Sequence, residues 1–124
     1  MRRCREDGIN FLSCIRDIIA KILHTPRAHL VLVSVIPSPA SNDRDWHLFK
    51  RVDAEMNKYA QESGGKVSFL NLKDKFITSN TINMEYYDQR EREQGIVHLS
   101  PKGASMVAET LKNYLVQLNN NKWD

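Results

Sequence analysis

Apolar residues recur early in the chain at Phe11/Leu12, Ile15, Ile18/Ile19 and Ile22/Leu23. That spacing predicts an amphipathic helix from Ile9 with one buried stripe. Thr25-Pro26 ends it, because the residue before a proline is pushed out of the α region. The pattern then changes period. His29-Leu-Val-Leu-Val-Ser-Val-Ile36 is β-branched and nearly continuous in its apolarity, and it closes on Pro37-Ser38-Pro39. A short run that is apolar on both faces suits an interior strand of a parallel sheet. Ser41, Asn42 and Asp43 offer caps for a second helix with a stripe at Leu48/Phe49, Val52, Met56 and Tyr59/Ala60, ended by Gly64-Gly65.

Lys66 to Leu72 predicts a second strand, with Val67, Phe69 and Leu72 on its apolar side. A long polar connection follows from Lys73 to Val97, pinned by Phe76, Ile77 and Ile82, and a connection of that length inside a small domain is usually functional or poorly ordered. Gly95-Ile-Val-His-Leu-Ser-Pro-Lys-Gly103 then leads into a last helix from Pro101 to about Leu118. Ser100 can cap it, and Pro101 suits its first turn, where a missing N–H costs nothing. Residues 1–8 are expected to be a frayed or truncated end, and residues 119–124 a polar tail. The predicted order is α-β-α-β-loop-α, an α/β arrangement with parallel strands joined by crossovers.

Two strands make a poor parallel sheet, and a strand as apolar as Leu30–Ile36 expects neighbours on both edges. The pattern therefore looks like part of a larger sheet, or one completed by self-association through an exposed strand edge.

Composition changes this picture little. With 124 residues, 41% hydrophobic and 27% charged, the chain is of single-domain size and ordinary globular composition. A net charge of +3 and a sequence pI near 9.0 give only weak support to a nucleic-acid partner. The basic positions Arg2, Arg3, Arg5, Arg90 and Arg92 suit a solvated surface, and Trp46 and Trp123 show no base-stacking pattern with them. Cys4 and Cys14 form no CxxC and have no histidine at ligand spacing, so no metal site is expected, and no cofactor motif is present. A Cys4–Cys14 disulfide stays open. Arg16, Asp17 and Lys21 interrupt the first apolar run, which excludes a leader h-region or a membrane span there. A cytoplasmic, reducing location is the default expectation.

The strand Leu-Val-Leu-Val-Ser-Val-Ile-Pro-Ser-Pro, the strand Val-Ser-Phe-Leu-Asn-Leu and the segment Gly-Ile-Val-His-Leu-Ser-Pro-Lys-Gly-Ala before a closing helix together resemble the C-terminal half of SGNH/GDSL-type hydrolases. The resemblance covers residues 9–118 and implies a partial three-layer α/β/α domain of flavodoxin-like character that hydrolyses esters. It implies that His98 is the general base, since it matches the histidine of the family's Asp-x-x-His segment. The family's nucleophilic serine lies in an N-terminal Gly-Asp-Ser block, and its oxyanion hole draws on a glycine and an asparagine. Neither Gly-Asp-Ser nor Gly-x-Asn-Asp occurs in this sequence, and position 95 is glycine where the family has aspartate. Ser34, Ser38 and Ser100 show no nucleophile elbow. Asp88, Glu91 or Glu93 could orient His98, and the spacing favours none of them.

The chain by itself is therefore expected to be inactive, meeting an ester substrate only when the N-terminal half is supplied. Two other readings stay open: a catalytically dead SGNH-like domain that binds RNA or protein, as in the Oskar-type domain of germ-plasm proteins, and a small interaction domain that completes its sheet with another copy.

Overall fold

The computed structural model describes residues 8–88 and 98–123 and is a mixed α/β structure that divides into two compact units. Among residues placed by the sequence patterns, the N-terminal end, Arg90, Arg92, Glu91, Glu93, Gly95 and Asp124 lie outside the described residues.

The first unit contains helix α1 (Gly8–Leu23), strand β1 (Leu30–Val33), helix α2 (Asp43–Glu62) and strand β2 (Val67–Leu70). Its core is formed by Leu12 and Ile19 of α1, Leu32 of β1, Val52 and Met56 of α2, and Val67 of β2. The α1 stripe is narrower than the spacing suggested, because Ile18 and Leu23 are 45% and 43% exposed. Arg16 of α1 donates from Nε to the Tyr59 hydroxyl of α2 at 2.6 Å, and its guanidinium lies 5.6 Å from the centre of that ring. At the end of α1, Lys66 Nζ donates to the carbonyl of Leu23, a group that a helix terminus leaves without an intrahelical partner, and to that of Thr25 just beyond. Cys14, buried on α1, is disulfide-bonded, and the sequence's other cysteine, Cys4, lies outside the described residues.

Helix α2 begins with a full capping box. Asn42 accepts from the Asp45 N–H at 2.9 Å, and Asp45 accepts from the Asn42 N–H at 3.1 Å. It ends where Gly64 and Gly65 take φ of +67° and +93°, a left-handed backbone that carries the chain back to β2. Strands β1 and β2 pair in parallel with Leu30 beside Val67 and Val33 beside Leu70.

The expected strand His29–Ile36 is thus shortened to four paired residues. The last ladder bond runs from the Ser34 N–H to the Leu70 carbonyl, and beyond Leu70 the paired segment turns into a 3₁₀ turn, so among the described residues Val35 and Ile36 have no strand beside them. The Val35 N–H instead donates to the buried Asp53 carboxylate of α2 at 3.2 Å. Among the described residues no third strand joins this sheet. Since Leu30 and Ser34 donate toward β2, alternation turns the Val31 and Val33 N–H groups toward the other edge.

The second unit contains residues 36–41 and the chain from Leu72 onward. The long connection expected to lack secondary structure is folded at its start. A 3₁₀ turn, Lys73–Phe76, runs into the hairpin β3 (Ile77–Thr78) and β4 (Thr81–Ile82), and a second 3₁₀ turn follows at Met84–Tyr86. The hairpin loop is Ser79-Asn80, both at positive φ (+51° and +64°), which matches the twist that a two-residue hairpin requires. Phe76 is fully buried, with Tyr86 edge-on at 5.9 Å and Tyr87 tilted at 5.6 Å between ring centres. Helix α3 runs Pro101–Trp123, several residues beyond the expected stop near Leu118 and into the expected tail. Along α3, Val107, Leu111, Tyr114 and Leu118 are only half-buried, and Leu115 is 51% exposed.

Candidate functional site around His98

His98 is exposed, and its position is set by the backbone on either side of it. Asp88 donates its N–H to the His98 carbonyl at 2.8 Å, and Ser100 donates its N–H to the Tyr86 carbonyl at 3.0 Å. These two bonds flank an antiparallel bridge between Tyr87 and Leu99. The segment before α3 is therefore tied to the 3₁₀ turn Met84–Tyr86 and its exit.

Ser100 performs the capping role its sequence position suggested. Its Oγ accepts from the Gly103 N–H at 3.1 Å, and the first helical bond runs from the Ala104 N–H to the Ser100 carbonyl at 2.9 Å. The same hydroxyl donates to the Glu85 carbonyl at 2.6 Å, so one side chain caps α3 and ties it to the turn. Gly103 explains the last glycine of the motif. A Cβ there would land on the Tyr86 carbonyl oxygen and within 2.9 Å of its carbon, so only glycine lets α3 approach this backbone.

The turn beneath has its own supports. Asn83 accepts from the Glu85 N–H at 3.2 Å, and its Nδ2 donates to Glu85 Oε1 at 3.0 Å. Lys102 Nζ pairs with Glu85 Oε2 at 2.5 Å and sits 5.9 Å from the centre of the Tyr86 ring. The hydrogen bond from Lys102, and then the one from Asn83, hold the Glu85 carboxyl below its usual pKa, while the bond to Glu85 raises that of Lys102. Both side chains are more than half exposed, so the pair is worth little to stability.

Tyr87 turns the other way. It is buried, its hydroxyl donates to the Pro37 carbonyl at 2.5 Å, and burial pushes its pKa up to about 12. That bond joins the Pro37–Ser41 turn to the bridge that carries His98.

The three serines fall into distinct places. Ser34 is buried at the end of β1, and Ser100 is the α3 cap. Ser38 lies in the same unit as His98, where its Oγ accepts from the Ala40 N–H at 3.1 Å within its own turn. None lies on a strand-to-helix elbow. His24 and His47 are exposed on the first unit.

Two arrangements were not legible in the sequence. One is the contact between His29 Nε2 and Ser68 Oγ at 2.7 Å, which arises because β1 and β2 pair in parallel. The other is the placing of Asp88 beside His98, ten positions on, by the bridge register. Among the described residues no cluster of three or more histidine, cysteine, aspartate or glutamate side chains could hold a metal ion. No helix among them is long and apolar enough to cross a membrane. No family model, curated protein or solved structure matches the chain.

Proposed function

We propose that this chain is the C-terminal half of an SGNH-like ester hydrolase domain of three-layer, flavodoxin-like build, and that His98 is its general base. The observation that carries the reading is an exposed imidazole on a backbone fixed from both sides, directly ahead of a capped helix. Imidazole has a lone pair available near neutral pH, and a rigid support spares the cost of ordering the base at each turnover. The parallel β1–α2–β2 unit adds support, because its Val31/Val33 edge offers backbone donors to a further strand.

In the proposed reaction, a serine from the other half attacks the ester carbonyl as His98 takes its hydroxyl proton. The imidazolium then gives that proton to the leaving alcohol, and water repeats the cycle on the acyl-serine. Without the other half the chain lacks an activated nucleophile and is inactive.

Hydrolysis of p-nitrophenyl acetate tests the reading. The chain and its His98→Ala variant should show the same background rate, and a rate from the chain itself that depends on His98 would refute the claim that the nucleophile comes from elsewhere. When the chain is joined to an N-terminal half bearing Gly-Asp-Ser, His98→Ala should lower kcat/KM by about 100-fold or more. An unchanged value there would remove His98 from the mechanism.

A further inference from the structure

A histidine that acts as a base needs one ring nitrogen held by a partner, so that the other keeps its lone pair toward the reacting group. The residue three positions before His98 is glycine and has no side chain to do this. We infer that Asp88 is the positioning residue for His98, reaching it across the bridge instead of along the chain. This rests on the reading of His98 as a base.

The register of the bridge pairs the two residues. With Tyr87 opposite Leu99, and with the Asp88 N–H on the His98 carbonyl, Asp88 stands directly opposite His98. In an antiparallel pair, directly opposed residues project their side chains to the same side, with Cα atoms about 5.5 Å apart when they share a hydrogen bond. Side chains alternate along each segment, so this side is the reverse of the one on which Tyr87 is buried. The bridge has an inner side that anchors it and an outer side that presents a carboxylate and an imidazole together.

Side-chain length decides which ring nitrogen is engaged. Aspartate is short, and Nδ1 is the ring nitrogen nearer the backbone, so a carboxylate opposite His98 meets Nδ1 and leaves Nε2 outward as the base. Glu85, on the turn before the bridge, pairs with Lys102 and accepts from Asn83.

The tautomer of His98 gives the test, read from two-dimensional long-range ¹⁵N–¹H spectra of the ring in the whole chain. The spectra are recorded on the alkaline plateau, where the ring shifts no longer change with pH. His98 should then be mainly the Nδ1–H tautomer. Asp88→Asn, whose amide can donate to Nδ1, should invert the majority to Nε2–H, and Asp88→Ala should also lose the Nδ1–H preference. A wild-type ring already in the Nε2–H form, or a tautomer unchanged in both variants, overturns the inference. Backbone amide spectra of the second unit, which contains both residues, check that the variants fold. Because the readout needs no ester turnover, its failure is distinct from a failure of His98→Ala to affect hydrolysis, which would strike the hydrolase reading itself.

Discussion

The two units are held together by different means. In the first, two helices and two strands share an apolar core in which Val52, Met56 and Val67 are all less than 5% exposed. Each such side chain contributes roughly 1.5–3 kcal/mol by leaving water. Among the described residues of the second, Leu72, Phe76, Tyr87 and Pro37 are as deeply placed, and long α3 keeps Leu115 and Val116 half exposed. Directed bonds carry more of that unit: Ser100 to Glu85 and Gly103, Tyr87 to Pro37, and Asp88 to His98. A broad core gives stability to a whole unit. A few well-placed hydrogen bonds fix the position of one loop, which is what the base role proposed for His98 requires.

The largest effects should come from emptying each core in turn. Phe76→Ala should cost roughly 3–5 kcal/mol and Met56→Ala about 2–5 kcal/mol. Native-state hydrogen exchange should show protection lost around residues 72–88 and the start of α3 in the first variant, and in α2 and β1 in the second. Equal loss across both units in either variant would show one cooperative structure and break the comparison.

Tyr87→Phe should be smaller, about 1–3 kcal/mol, because it leaves the Pro37 carbonyl without its buried donor. It also has a pH signature. The phenol titrates near 10 when unfolded and about 12 when folded, so the folded state holds its proton more tightly. The stability linked to that proton is complete below pH 10 and is lost as pH rises through about 12. Denaturant titrations at about pH 8 and about pH 11 should show this loss in the wild type and its reduction in Tyr87→Phe. Equal losses in both proteins would place the alkaline sensitivity elsewhere.

The smallest effect should come from Asn42→Ala, which removes half of the α2 capping box at about 1 kcal/mol. It should lower the denaturation midpoint of the first unit and leave amide protection at the Tyr87–Leu99 bridge unchanged. A change at the bridge would again tie the units together.

What could be read in the sequence was local. The helical stripe through Leu12, Ile15 and Ile19, the stripe through Val52 and Met56, the Gly64-Gly65 stop and the Ser100-Pro101 start each depend on residues within a turn or two of one another. The hairpin at Ser79-Asn80 escaped because its strands are two residues each and its turn lacks the glycine that usually marks such loops. Asp53 is one of several acids on α2, and its bond to the Val35 N–H just past β1 makes it a buried acceptor.

The site divides in the same way. Sequence alone determined that His98 precedes a capped helix, that glycine stands at 95, and that no Gly-Asp-Ser block is present, because these are matters of neighbouring residues. Tertiary structure decided that Gly103 is required by the Tyr86 backbone, that Tyr87 anchors the bridge to Pro37, and that Asp88 lies across from His98. Those facts depend on strand register and on the return of the chain after a long connection. The energies that set register are summed over contacts between distant residues, and no short stretch of sequence contains them.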